Sequence, residues 1–375
     1  MNAFSVKPAS TVARETGLLL RSLGRECVSS ERRPQRLLDE CETVLSVLLA
    51  IVIAHLVGAH NVGWAAFSGY MVMRTQLAET LSRGALRVLG TVAGALLAWW
   101  LVTWLERSLL LMSVSLFLVG GGTLYAALTR KRSYAWLFTG LTFAMVVLDA
   151  LHEPSAVVHA FVVTRGLEVF SGTAACVLVN LLSAWTVRPR VHGKQYFFND
   201  RPAPVATRAW ERSAALHAAQ AAAALALLPF LSSWLRAEAL SQAAITIMAV
   251  MMIPLATLTG DRGAVRMRVL HRFAGCLLGA ASAAVALVLS HGNLPATLLF
   301  MGLGIMLGRH IENSQQPFAY IGTQYSLAFL VVFVPDDYAE VSSSPGWERL
   351  SGIVLGLLIL VAMRFALRRA WTRVR

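Results

Sequence analysis

Twelve apolar runs, each close to the length of a membrane crossing, lie end to end along this chain with short arginine-bearing segments between them. That alternation constrains the fold more than any motif. A membrane-spanning helix needs about 20 mostly apolar residues. The runs fall near 41–59, 62–79, 88–105, 109–128, 133–150 and 166–187, and then near 214–235, 241–257, 273–290, 293–308, 316–334 and 350–368. They are continuous rather than alternating, which excludes a β-barrel. Only 14% of the 375 residues are charged, against roughly 25% in a soluble domain. A soluble enzyme and a disordered chain are therefore ruled out, and the sequence predicts an all-α polytopic membrane protein with about twelve transmembrane helices.

The net charge of +13 points away from nucleic acid once its placement is read, because the basic residues are scattered between apolar runs and not gathered on one soluble face. With the N-terminus on the cytoplasmic side, 29 of the 33 basic residues fall on the inner side and only Arg107, Arg165, Arg236 and Arg349 on the outer. This is the positive-inside distribution. It puts both termini in the cytoplasm. The resulting division is a cytoplasmic N-terminal segment 1–40, a six-helix unit 41–187, a cytoplasmic linker 188–213, a second six-helix unit 214–368 and a basic tail 369–375. Residues 11–28 carry Arg14, Arg21 and Arg25 among leucines and read as an amphipathic helix on the inner membrane face, not as a cleaved signal. Cys27, Cys41, Cys176 and Cys276 share no pairing or metal spacing and read as free thiols.

The two units repeat. Arg87-x-x-Gly90-x-x-x-Gly94 recurs 185 positions later as Arg272-x-x-Gly275-x-x-x-Gly279. Arg165 and Gly172 recur as Arg349 and Gly356 at an offset of 184, as do Tyr134-Ala135, Thr139 and Thr142 in Phe318-Ala319, Thr323 and Ser326. Six spans per unit is an even number, so the repeats enter the membrane in the same sense. They should be related by an axis along the membrane normal, with a pathway at their interface.

Several residues then carry two readings each. Gly90, Gly94, Gly275 and Gly279 form GxxxG pairs that let helices approach closely in lipid. Arg87 and Arg272 are either positive-inside anchors or forks that capture an anion. Arg165 is followed three residues on by Glu168, which is either its helix partner or a proton-coupling carboxylate. Thr139, Thr142, Thr323 and Ser326, with Gln324 alongside, either bond back to their own helix carbonyls or form a substrate patch at the membrane midplane. Trp99, Trp100 and Trp104 read as an aromatic belt. Glu42 reads as interfacial. No HxxxH, HExxH or GxxxxGK[ST] motif is present, so neither a metal, a cofactor nor a nucleotide is expected, and no residue is cast as catalytic.

From Trp64 to Leu101 the chain resembles the fusaric acid resistance (FUSC) family. The resemblance rests on Trp64, the Arg83-Gly84 pair and the string Arg87, Gly90, Thr91, Gly94. Residues 242–290 resemble the second half of that family through Pro254, Arg272, Gly275 and Gly279. Cys276 departs from it by standing where the first half has Thr91, and the sizeable soluble domain that larger members carry between the halves is missing. The family includes aromatic acid exporters of bacterial inner membranes, often working with a periplasmic adaptor, and is more distantly similar to plant malate-permeable anion channels. The resemblance implies a multi-pass inner-membrane exporter of small organic anions, aromatic carboxylates first, with a periplasmic adaptor as protein partner. Without a nucleotide-binding motif, proton antiport is the expected energy source, and a second copy of the chain and the lipid bilayer are the other expected partners. A passive anion channel and a non-transporting membrane scaffold are the alternatives.

Overall fold

The computed structural model describes residues 34–59, 61–105, 108–152, 155–192, 208–254, 257, 263–290, 292–314, 316–334 and 344–373. The expected amphipathic helix 11–28, Cys27, Arg107 and most of the 188–213 linker lie outside them. Among the described residues there are helices and no strands. Twelve helices longer than ten residues follow the twelve apolar runs in order. They are α1 (Pro34–Leu56), α2 (Val62–Val72), α3 (Leu77–Leu105), α4 (Leu109–Thr129), α5 (Ser133–Asp149), α6 (Ser155–Thr186), α7 (Arg208–Ala226), α8 (Ala237–Met251), α9 (Ala264–Ser290), α10 (Leu294–Glu312), α11 (Ala319–Phe333) and α12 (Ser344–Arg373).

Six of these meet both the length and the apolarity of a crossing: α3, α4, α9 and α10, with the 160–186 stretch of α6 and the 211–231 stretch around α7. The chain is therefore a multi-pass helical membrane protein. Four more helices are apolar but short, namely α5, α8, α11 and the 350–366 part of α12. The runs 62–79 and 241–257 do not form single helices. The first breaks after Val72 and the second after Met251. At about 1.5 Å per residue, the 11 residues of α2 rise roughly 17 Å, well short of a bilayer core of about 30 Å.

Burial sorts the helices the same way. Nearly all of α2 is buried, as are residues 140–148 of α5, 239–248 of α8 and most of α11. The long helices instead turn leucine, valine and tryptophan outward, as at Trp100, Leu118, Val163, Val288 and Leu299. Short helices form the inside and long helices the lipid-facing wall. α3 packs on α5 and α9 on α11, while α4 meets α7, α5 meets α8, α10 meets α1 and α11 meets α2. One apolar core joins Leu116, Phe143 and Val146 to Leu225, Ile247 and Met248; the other joins Val47, Val62 and Tyr70 to Ile305, Phe329 and Phe333. Each core is built from both units, so the halves interlock.

Local chemistry fixes the ends. Gly58 and Gly292 close α1 and α9 at φ of 71° and 72°, a left-handed conformation that glycine adopts without a Cβ clash. Asn293 caps α10 by accepting from the Ala296 amide at 3.3 Å. α4 widens into a π turn at Leu116–Gly120, where Gly120 and Gly121 lie against Leu225 and Ala222 of α7.

Candidate functional site: an arginine-lined cavity between the halves

The facing helices α3/α5 and α9/α11 come close because glycines remove the side chains between them. A methyl on Gly90 or Gly94 would overlap the carbonyl oxygen of Ala135 or Thr139. One on Gly275 or Gly279 would overlap that of Ile321 or Tyr325. The glycines differ by 185 but the residues they face differ by 186. Tyr134 accordingly corresponds to Tyr320 and not to Phe318, and Thr139 faces Gly94 as Tyr325 faces Gly279. The offset of 184 expected in α5 and α11 is two residues away from the packing register, since pattern matching between apolar helices tolerates small slips that backbone contact does not.

Close packing at these glycines carries the preceding turns of α3 and α9 into the molecular interior. There a cavity of about 420 Å³ opens between the halves, within the range of small-molecule sites. Its walls come from α2, α3, α5 and α6 on one side and from α8 to α12 on the other. Arg83 and Arg87, one helical turn apart, enter it from α3, and Arg268 and Arg272 enter it from α9.

The four guanidiniums are held by neutral groups. Arg87, 2% exposed, donates from Nη2 to Ser68 at 2.9 Å and from Nη1 to the Tyr134 hydroxyl at 3.4 Å. Its Cζ lies 4.2 Å from the centre of the Phe138 ring. Arg83 stacks on Tyr134 at 4.2 Å. In the other half Arg272, 4% exposed, donates from Nε and Nη2 to Thr246 at 3.2 and 3.0 Å and from Nη1 to the Gln324 side-chain oxygen. Arg268 stacks on Tyr320 at 3.3 Å. Among the described residues no carboxylate lies within ion-pair distance of any of the four. The Nε groups of Arg83, Arg87 and Arg268 are buried without a hydrogen-bond partner there. Two buried cations, Arg87 and Arg272, and two half-buried ones, Arg83 and Arg268, without counter-charge among the described residues are costly, and the arrangement suits an anion whose carboxylate takes the open N–H groups. Trp64, Phe67 and Phe138 add apolar and aromatic wall.

The other candidate residues separate clearly. Thr142, Thr323 and Gln324 line the cavity; Thr139 and Ser326 do not. Thr139 donates to its own helix at the Ala135 carbonyl, 3.0 Å away. Ser326 is fully buried beside Gly308. Arg165 lines the cavity between the rings of Trp64 and Phe161, at 4.4 and 4.7 Å. Glu168 is bound to Arg165 at 2.9 Å and to the Asn61 amide at 3.2 Å, and is not part of the cavity lining. The Arg349 side chain lies outside the described residues.

Sequence reasoning missed Arg74, Arg268, Tyr134, Tyr320 and Glu312 as lining residues, and took Arg83 only as part of a motif. One signal was available: Arg83-x-x-x-Arg87 recurs as Arg268-x-x-x-Arg272 at the same offset of 185 as the glycines, and that spacing puts two cations on one helix face.

A second polar cluster underlies the cavity, where α2 breaks. Arg309 of α10 binds Asp39 of α1 through Nε at 2.7 Å and Nη2 at 3.2 Å, and reaches the Met73 carbonyl at 3.3 Å. Arg188, just beyond α6, clasps both oxygens of Glu42 and donates to the Thr75 and Arg74 carbonyls. Asn180 donates to the Arg74 carbonyl at 2.8 Å. Glu42, read as interfacial, and Arg188, read as the start of the linker, are both buried here.

Residues 41–195 match the fusaric acid resistance protein family, and residues 247–363 match the fusaric acid resistance protein-like family. Among curated proteins the chain is similar to the p-hydroxybenzoic acid efflux pump subunit AaeB of Edwardsiella ictaluri (strain 93-146). The two are 30% identical over 163 residues, covering 40% of this chain and 25% of that protein. It is 29% identical over 160 residues to the protein of the same name in Edwardsiella tarda (strain FL6-60), covering 40% of this chain and 24% of the relative. The match thus spans about a quarter of the length of these relatives. No solved structure matches. Two matches that fall one in each half, over helices that build one cavity, give the family: the chain belongs to the fusaric acid resistance protein family.

Proposed function

We propose that this protein is a bacterial inner-membrane transporter, not an enzyme, that exports small organic anions, aromatic carboxylates above all, through the cavity between its halves. The observation that carries the reading is the set of four cavity-lining arginines, two from each half, Arg87 and Arg272 buried and Arg83 and Arg268 half-buried, with no carboxylate partner among the described residues. The carboxylate takes the arginine N–H groups and the ring lies against Phe67 and Phe138. Gln324 and Thr323 meet a polar ring substituent. Arg165 and Arg349 assist release on the outer side. The efflux pump named among the relatives handles p-hydroxybenzoic acid, a molecule with a ring, a carboxylate and a hydroxyl, which is the combination this cavity suits.

The same proposal includes a frame of twelve crossings in two parallel six-helix units, 41–187 and 214–368, with both termini cytoplasmic. The short helices α2, α5, α8 and α11 cross within the protein, where irregular backbone is tolerated because other groups satisfy it. Proton coupling supplies the energy, and a periplasmic adaptor or a second copy of the chain is the protein partner. Reporter fusions at Lys194 and the C-terminus should report cytoplasm, and fusions at His152 and Asp337 periplasm; Lys194 and Asp337 lie outside the described residues. A periplasmic signal at Lys194 would refute the six-plus-six layout.

A passive anion channel is the second reading. Its support is that Glu168, the proton-coupling candidate, is bound to Arg165 away from the cavity lining. Proteoliposomes containing the full chain separate the two. An antiporter drives p-hydroxybenzoate against its gradient when a pH gradient is imposed. A channel gives a current that reverses at the anion's equilibrium potential, with no pH requirement. Neither flux would leave only a scaffold.

A further inference from the structure

We infer that Glu312 is an internal counter-anion that competes with the transported anion for Arg74, and so limits how tightly the cavity holds its load. This rests on the anion-transport reading above. Glu312 ends α10 and is the one carboxylate among the described residues lining the cavity. Its two oxygens are held differently. Oε2 accepts from the Tyr70 hydroxyl at 2.6 Å and from Arg309 Nη1 at 3.2 Å. Oε1 faces Arg74 Nη1 at 3.9 Å, an ion-pair distance too long for a hydrogen bond. The firm contacts belong to a balanced group, since Arg309 is already matched by Asp39. The charged and titratable groups around Glu312 are Tyr70 from α2, Arg74 from the break after α2, Arg309 on its own helix and Asp39 from α1. Only Arg74 both lines the cavity and is loosely held. Its side chain is 23% exposed, and its Nη1 donates to the adjacent Met73 carbonyl at 2.8 Å.

A transport site must bind well enough to load and weakly enough to unload. Arg83, Arg87, Arg268 and Arg272 favour loading. Arg74 can add a fifth cation to a bound carboxylate only by giving up Glu312, and on release it regains that partner. Part of the free energy of losing the substrate is thereby offset inside the protein. No backbone rearrangement is needed, because the guanidinium of a partly exposed arginine can swing between two acceptors that share one cavity.

Equilibrium binding of labelled p-hydroxybenzoate to the purified full chain tests this, with E312Q, R74Q and the double variant. E312Q keeps an acceptor for Tyr70 and removes only the charge. It should tighten binding roughly three- to tenfold, the span expected of a partly exposed ion pair, and should slow release. In the R74Q background the same change should do nothing, because the competitor then has no one to compete for. Weaker binding in E312Q, unchanged binding, or an equal effect with and without Arg74 would overturn the inference while leaving the transport reading in place. No binding by wild type or by any variant would overturn the transport reading and this inference with it. Should E312Q fail to accumulate in the membrane, E312D, one methylene farther from Arg74, is expected to tighten binding in the same direction, and a weakening there would overturn the inference.

Discussion

Two helix breaks occupy corresponding places in the two halves, after α2 and after α8, and they are held by different chemistry. The break at residues 73–76 is roped to three distant elements. Its carbonyls accept from Arg309, Arg188 and Asn180, and those arginines are anchored on Asp39 and Glu42. The break after Met251 is held, among the described residues, by a bond from His217 to the Met251 carbonyl at 2.8 Å and by Arg364 of α12, which donates to the Met251 sulfur at 3.6 Å. The same contrast runs into the cavity. Arg87 leans on the Phe138 ring, whereas the corresponding position beside Arg272 is Gln324, which accepts a hydrogen bond. The first half is an electrostatically fixed wall with an aromatic face. The second has a polar face at Gln324, and on the transport reading proposed above a substrate with one apolar and one polar end would take one orientation between them.

The largest effect that can break this comparison is on stability. Arg309→Ala strands a buried Asp39 and should cost about 3–5 kcal/mol, the usual penalty for removing one partner of a buried pair. His217→Ala, which removes the bond to the Met251 carbonyl at the other break, should cost about 1 kcal/mol for the lost hydrogen bond. Thermal unfolding of both purified variants in one detergent checks the difference, and equal losses would mean the two breaks are anchored alike.

The glycine contacts should behave in the opposite way, identically in the two halves. Gly94→Ala and Gly279→Ala each drive a methyl into the carbonyl of a facing helix, and each should cost about 1–3 kcal/mol by overpacking. A large difference between them in the same unfolding assay would show that the α3/α5 and α9/α11 contacts are not equivalent.

These contrasts mark how far the sequence could be read. The twelve apolar runs located the helices because hydrophobic length is written locally. The glycine strings located the close contacts because a helix crossing this tight needs glycine at the touching positions, whatever residue faces them. What failed was whatever depends on unlike residues meeting across the fold. Asp39 and Arg309 are 270 positions apart and no local pattern links them. Glu42 resembled any interfacial carboxylate until Arg188 was brought beside it. The Thr139 and Thr323 alignment was a coincidence of spacing in two apolar helices, and the packing register separates them. The arginine pairs were legible in part: Arg87 and Arg272 were found from their glycines, and one more turn of helix would have given Arg83 and Arg268.

The smallest effects concern the polar face. Thr323→Val keeps shape and removes a hydroxyl at the cavity wall, and should change affinity only several-fold, for a hydrogen bond of about 1 kcal/mol in a membrane protein. Gln324→Leu should shift preference from ring-hydroxylated carboxylates toward unsubstituted ones by a similar factor. Competition binding with p-hydroxybenzoate and benzoate measures both. A Gln324→Leu protein with unaltered preference would remove the second half from substrate selection, and the same change at Phe138 would then become the informative one.

The central claim is that paired arginines from both halves hold a carboxylate between them, and equilibrium binding to the purified full chain tests it most directly. p-Hydroxybenzoate and its uncharged counterpart p-hydroxybenzyl alcohol are compared on wild type, Arg87→Gln, Arg272→Gln and, as a control outside the cavity, Arg130→Gln. The account predicts that wild type and Arg130→Gln bind the acid and discriminate against the alcohol. It predicts that Arg87→Gln and Arg272→Gln each lose affinity for the acid by roughly tenfold or more, the worth of a hydrogen bond to a charged group, and lose the discrimination with it. Undiminished, carboxylate-selective binding in both Arg87→Gln and Arg272→Gln would contradict it.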